Sequence, residues 1–346
     1  MSNQSPDRGF NTVNDSTVSR RQTKALRQKI LLILIISIVI LMVITLLILA
    51  IGAIAQAVKD NGQGGKPLSN DEIEWETLTV SEADTKHGAL VVVNKDLAYD
   101  FPEDNEHLIK IFDILGLHES PRPYTTTGIS SYMAEEAMKA LDAMLTDFSK
   151  ANKTSSVAIH YAYRTYEEQE ELNSATPAGH SDHHTGYGCA LRMLDPSGDK
   201  SHIALDDDSY EWLSDNAAKY GFIIRYPEEK SDLTGVSDYL EYFRYVGVPH
   251  ATLMTQNNLC MEEYAEYLSK EAASDDLTVK GADGQRYIVR YYDVDGDTEI
   301  KVPSNCTYTV SGTNQGSVVV TVNLADPIET DTDRETESES RNTAKG

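Results

Sequence analysis

Residues 30–55, ILLILIISIVILMVITLLILAIGAIA, carry no charged side chain across 26 positions. About 20 apolar residues cross a bilayer as a helix. A helix buried in a soluble core shows a polar stripe, which this run lacks. The run therefore predicts a membrane-spanning helix and divides the chain. Before it, Arg8, Arg20, Arg21, Lys24, Arg27 and Lys29 stand against Asp7 and Asp15, a net of +4. The whole chain carries −25, so the remainder carries −29. Basic flanks mark the cytoplasmic side. The expected topology is a single-pass cell-membrane protein with residues 1–29 as a cytoplasmic tail and everything after 55 outside. A cleaved signal peptide is the rival reading. AIAQA offers small residues for cleavage, but the run far exceeds an h-region of roughly 7–15 residues.

The acidic remainder argues against nucleic acid as a partner, because a phosphate backbone is bound by basic surface. It fits a solvated exterior that repels anions. Three cysteines leave at least one unpaired. Cys260 and Cys306 either form a bridge or stay as buried thiols; composition does not separate the two. Cys189 lies in an apolar run and reads as a small core residue rather than a nucleophile.

After the span, 56–85 contains NGQGGKPLSNDE and reads as a polar linker. ALVVVN (89–94) reads as a strand, 130–152 as an amphipathic helix, SSVAIHYAY (155–163) as a strand and RTYEEQEEL as a helix start. GYGCALRML (186–194) is a further strand. Asp208 with Glu211 three residues later suggests a capping box, with a helix stopping at Gly221 before the strand FIIRY. EYFRYVG (241–247) is another strand, and 249–271 reads as helical. Strands and helices mixed without strict alternation predict an α+β domain over 86–272. Short β-rich runs between turn signals then predict a small all-β domain over 277–324. DVDGD (293–297) lacks the layout of an EF-hand loop and reads as an Asp-Gly hairpin turn. Residues 325–346 have no aliphatic periodicity and read as a disordered acidic tail.

Four segments between about 88 and 270 carry a family likeness: LVVVNKD (90–96), YRTYEEQ (163–169), GHSDHHTGYG (179–188), and NAAKYGFIIRYPEEKSDLTG (216–235) running on to FRYVG (243–247). In this order they resemble the VanY-type D-alanyl-D-alanine carboxypeptidases of the LAS superfamily. These are zinc metallopeptidases that trim the last D-Ala from cell-wall stem peptides. The resemblance implies a LAS/VanY-like peptidase fold over 86–272. The family's metal motif reads S-x-H-x-x-G-x-A-x-D. Ser181, His183 and Gly186 match it, but Ala190 stands where the aspartate ligand belongs. The second motif reads E-P-W-H-F-R-Y-V-G. Here Tyr239 replaces its catalytic glutamate and Tyr242 its last histidine ligand.

Catalytic zinc uses three protein ligands and keeps one position for water. Alanine offers no electron pair, and a phenol with a pKa near 10 is a poor ligand at neutral pH. The missing glutamate is the general base, a role worth roughly 10²–10⁴ in rate. The expectation is thus a pseudoenzyme with a vestigial His183, no intact catalytic residue and no resident metal. Zinc is expected only if ligands have been relocated to His180, His184, Cys189 or Glu241. The last three are odd-offset neighbours of the motif positions and should face away in extended segments. Arg164 and Ser181 match substrate-contacting positions, and a guanidinium suits a terminal carboxylate. Tyr239 and Tyr242 either line a binding cleft or plug it. The partners implied are a peptidoglycan stem peptide or an extracytoplasmic protein, with the membrane reached through 30–55. Two rivals remain: an active D,D-carboxypeptidase with relocated ligands, and a membrane-anchored scaffold acting through the β domain.

Overall fold

The computed structural model describes residues 67–194, 202–237, 239 and 241–327. The apolar run 30–55, the tail 1–29, most of the acidic tail and Asp195 lie outside them. Among the described residues no helix is long and apolar enough to cross a membrane.

The chain opens with β1 (Trp75–Val80), β2 (Leu108–Lys110), α1 (Ile111–Leu115), β3 (Thr125–Thr126) and β4 (Tyr132–Ala134). Next come α2 (Glu135–Asn152), β5 (Val157–Tyr161), α3 (Tyr166–Glu171), β6 (Gly188–Leu194) and β7 (His202–Ile203). Then follow α4 (Asp207–Ala217), β8 (Phe222–Ile224), α5 (Ser231–Thr234), β9 (Tyr242–Tyr245), α6 (Val248–Asn257) and α7 (Met261–Glu271). A mixed sheet in the order β3-β5-β6-β9-β8, with β7 beside β6, forms the centre of this α/β body. Helix α2 carries Ala137, Met138, Leu141, Met144, Leu145 and Phe148 on one stripe, all buried. That helical spacing lays it against Ile159, Leu191, Phe222 and Phe243 of the sheet.

The C-terminal strands are β10 (Leu277–Lys280), β11 (Arg286–Asp293), β12 (Thr298–Pro303), β13 (Cys306–Gly312) and β14 (Ser317–Pro327). Four of them form an antiparallel sheet, β10-β11-β14-β13. The run of valines in β14 is explained by burial on both faces. Side chains alternate along a strand, so Val318, Val320 and Val322 join Ile288, Ile300 and Val302 in one core. Val319 points the other way, into a cluster with Val289, Tyr291, Ala251, Met254 and Tyr264. The sheet and helices α6 and α7 therefore share a hydrophobic core.

Several local expectations are corrected. The stretch 56–85, read as linker, contains β1, which pairs antiparallel with β12 from Trp75↔Pro303 to Val80↔Thr298. Residues 89–94 form no strand. Leu90, Val91, Val92 and Val93 are buried, but the carbonyls along this stretch are met by side chains. Arg244 Nη2 donates to Ala89 O and Val91 O, Arg225 Nη2 to Val93 O, and Asn314 Nδ2 to Val92 O. Asp206, not Asp208, caps α4, accepting from Ser209 N at 2.8 Å. The Asp-Gly turn after β11 is no hairpin, because β11 pairs with β14 and β12 with β1. Of the two readings for the cysteines, the bridge fails: Cys189, Cys260 and Cys306 are all buried thiols and none forms a disulfide.

Candidate functional site

Ser181 leads into a 3-10 turn, Asp182–Thr185, which Gly186 ends in the left-handed region at φ 74°. A Cβ at Gly186 would lie 2.5 Å from Leu108 Cδ2 and carry a strained φ, so glycine is required there. The turn buries Asp182, His183 and His184 together.

His183 Nδ1–H donates to Ala162 O at 2.7 Å. Its Nε2 lone pair therefore faces the phenol of Tyr239, which donates to it at 3.4 Å. Burial first, then the charge of Arg164, pulls the His183 pKa down to about 3. The imidazole is neutral at physiological pH. A backbone carbonyl on one nitrogen and a lone pair on the other is the posture of a metal-binding histidine, but here the Tyr239 phenol takes that lone pair.

The two positions that should complete such a centre face each other. Ala190 pairs with Tyr242 across β6 and β9, and both are fully buried. The Tyr242 ring packs edge-on to His183 at 4.7 Å and stacks on Tyr239 at 5.1 Å. Its phenol donates to Asp182 Oδ2 at 3.1 Å. Burial pushes Tyr239 up to about 12 and Tyr242 well above the usual phenol value. Both remain protonated, so each offers an O–H rather than an anionic ligand.

Asp182 holds the floor. Its Oδ1 accepts from Arg244 Nη1 at 2.8 Å and Arg225 Nε at 3.4 Å. Arg225 continues to Glu262 with contacts of 2.9 and 2.7 Å. Burial disfavours the Asp182 charge, but the two guanidiniums outweigh it and hold the carboxyl below its usual range. This satisfied network keeps the charges paired.

Three of the four residues weighed as relocated ligands are engaged elsewhere, and the fourth, His180, does not line the cleft that holds His183. His180 Nδ1 meets Asn94 O at 2.8 Å. His184 donates from Nδ1 to Arg164 O and accepts at Nε2 from Gly179 N, so neither nitrogen is left for a metal. Cys189 sits in the core beside Leu191 and Phe243, with burial pushing its thiol far up. Glu241 accepts from Leu205 N at 3.1 Å and pairs with Arg192 at 3.2 Å. Among the described residues no three His, Cys, Asp or Glu side chains converge to hold a metal ion.

Arg164 and Ser181 share a cleft of about 270 Å³ with Tyr161, His183, Tyr226 and Tyr239. The Arg164 guanidinium lies 5.7 Å over the Tyr161 ring and donates to Gln169 Oε1. Gln169 is itself fixed by donating to Thr176 O at 2.7 Å. Gln169, Tyr226 and Asp182 were not singled out from sequence. The Thr165–Glu168 capping box in RTYEEQ is the signal that places Gln169 on the first turn of α3, facing back to Arg164.

A family model described as VanY, D-alanyl-D-alanine carboxypeptidase, matches residues 130–248. A D-alanyl-D-alanine carboxypeptidase of Enterococcus faecium is 33% identical over 251 residues, covering 70% of this chain and 78% of that protein. Another from Enterococcus faecalis is 25% identical over 211 residues, covering 61% and 73%. The solved structure of the vancomycin-resistance D,D-dipeptidase VanXYg, bound to a D-Ala-D-Ala phosphinate analogue, superposes with a TM-score of 0.61. It is 24% identical and covers 72% of this chain and 99% of that one, a likeness of fold.

Proposed function

This chain belongs to the VanY family of D-alanyl-D-alanine carboxypeptidases, and we propose that it keeps the peptide cleft as a binding site without the metal-dependent cut. The ligand is the D-Ala-D-Ala end of a cell-wall stem peptide. Arg164 receives its terminal carboxylate, Ser181 hydrogen-bonds its backbone, and Tyr161, Tyr226 and Tyr239 give it apolar walls.

One observation carries this reading: Tyr242 occupies the space between His183 and Ala190, with its phenol spent on Asp182. A catalytic zinc needs three protein ligands and a water position. His183 brings one lone pair, Ala190 none, and Tyr242 a protonated phenol. This donor set does not fit zinc. Tyr239, held at about 12 by burial, is equally unfit to take a proton from water at neutral pH. The cation left in the cleft wall, Arg164, has the neutral Gln169 as partner, so its charge is available to an anion.

The apolar run 30–55 and its basic flank support anchoring in the cell membrane with the cleft outward, where stem peptides are found. The test is calorimetric titration of the full-length protein with a peptide ending in D-Ala-D-Ala, alongside an assay for released D-alanine with and without added zinc. Binding without release is expected. Chelator-sensitive release would overturn the reading in favour of a relocated zinc centre. Absence of binding would favour a scaffold acting through the C-terminal sheet.

A further inference from the structure

A second cavity, larger than the peptide cleft, lies between the α/β body and the C-terminal sheet and measures about 540 Å³. That is within the roughly 300–1,000 Å³ typical of small-molecule sites. Strands β6 and β9 bring Ala190 and Tyr242 to the old metal centre. Tyr187, just before β6, and Tyr245, at the end of β9, serve this second cavity instead.

The lining is chemically distinctive. Tyr187 and Tyr245 stack at 6.4 Å and 15°, and Tyr287 adds a third ring. Glu136 accepts a hydrogen bond from the Tyr187 phenol. Thr309 and Asn323 stand on the sheet side. Asn323 Oδ1 accepts from Ala325 N at 3.0 Å, which leaves its NH₂ to donate. Among the described residues that line the cavity there is no lysine or arginine. Arg244 lies 5.4 Å over the Tyr187 ring, but its buried guanidinium is spent on Asp182, Thr185, Ala89 O and Val91 O. An anion would find no free counter-charge. A wholly apolar ligand would leave the carboxylate, amide and hydroxyl groups unpaired.

The two walls are fixed to each other. His250, at the start of α6, meets Thr321 Oγ1 of β14 at 2.7 Å through Nε2 and Tyr264 Oη at 2.7 Å through Nδ1. Burial pulls its pKa down to about 3, so this brace is neutral. The cavity is therefore preformed rather than opened by a ligand.

We propose that this cavity is a second ligand site, for a neutral saccharide whose apolar ring faces stack on the tyrosines and whose hydroxyls meet Glu136, Thr309 and Asn323. Aromatic faces interleaved with hydroxyl, amide and carboxylate groups match a pyranose, which has apolar C–H faces and a polar rim. The proposal does not rest on peptide binding in the Arg164 cleft.

The test uses full-length protein in phospholipid nanodiscs, free of sugar detergents, with N,N′-diacetylchitobiose as probe in saturation-transfer NMR. Saturable binding is expected. Thr309→Trp, which fills the cavity from an exposed position, and Asn323→Ala should each weaken it by about tenfold or more, near 1.4 kcal/mol. The thermal midpoint of Thr309→Trp should match the parent, Asn323→Ala should lower it only by the loss of the Ala325 N bond, and both variants should bind the D-Ala-D-Ala peptide as the parent does. No saturation with the parent protein overturns the proposal. So does binding that persists in both variants. Selective binding of methylammonium, lost in Glu136→Gln, also overturns it and reassigns the cavity to an organic cation.

Discussion

Gly188 and Tyr242 share one volume. A Cβ on Gly188 would lie 2.2 Å from the Tyr242 phenol oxygen and 2.6 Å from Cζ. The family motif has alanine at the position of Gly188, so the tyrosine and the glycine depend on each other. Gly188→Ala is expected to destabilise the protein by about 1–3 kcal/mol, the usual cost of overpacking. In a Tyr242→His background the same change should be close to neutral. A double-mutant cycle by urea unfolding measures the coupling, expected at roughly 0.5–3 kcal/mol. Additive effects would mean the phenol moves aside freely and does not plug the site.

Restoring the family side chains tests the lost chemistry directly. Ala190→Asp, Tyr239→Glu and Tyr242→His together place a carboxylate and an imidazole around the Nε2 lone pair of His183, with a base beside them. With Gly188→Ala added to fill the vacated space, the variant is expected to bind about one zinc per chain and to release D-alanine in a chelator-sensitive way. Withholding Tyr239→Glu should lower that rate by roughly 10²–10⁴ while leaving zinc content unchanged. Metal analysis and a D-alanine assay read both. A restored variant that takes up no zinc would mean that the groups supporting the ligands, Ala162 O on His183 and Asp182 beside position 242, no longer hold them in a metal-binding posture.

Arg164 is the charge proposed to receive the peptide terminus. Arg164→Ala is expected to weaken binding by roughly 1.5–3 kcal/mol, the value of a hydrogen bond to a charged group, or about 10- to 150-fold in Kd. Amidating the peptide terminus should cost the parent protein a similar factor and the variant almost nothing. Calorimetry on the four combinations decides whether guanidinium and carboxylate meet.

Most strands of the central sheet and α2 were legible in the sequence because each is written in local periodicity, while the motif residues were placed by the family resemblance. Alternation along β6 and β9 also placed Cys189 and Glu241 away from His183. What escaped depends on partners distant in sequence. Residues 89–94 look like a strand, yet Arg244, Arg225 and Asn314, each well over a hundred positions later, take the backbone bonds that a neighbouring strand would supply. β1 hid in an apparent linker because its partner β12 lies more than 200 residues on. Asp182 sits in the quoted SDHH, but only the fold brings two arginines onto it.

Two buried neutral histidines give the stability a defined acid limb. His183 and His250 each have a pKa lowered by burial to about 3 in the folded protein, against about 6.5 when unfolded. The unfolded chain therefore takes up protons first, and these histidines' contribution is full above about pH 6.5. It falls as pH drops from there toward 3, by up to about 1.4 kcal/mol per pH unit for each group. Asp182 works in the same direction at lower pH. Its folded pKa is depressed, so its contribution is present above the unfolded value near 3.9 and is lost as pH falls through the folded one. Urea midpoints measured from pH 7 down to 4 should decline, with His184 and His107, whose pKa values burial also lowers, adding to the slope. His183→Gln should remove up to about one proton of that slope and leave the His250 share, because His250 lies on the sheet side of the molecule, bonded to Thr321 and Tyr264. A slope unchanged in His183→Gln would mean that this ring is protonated in the folded state, and that the single lone pair assigned to the old metal centre is not there.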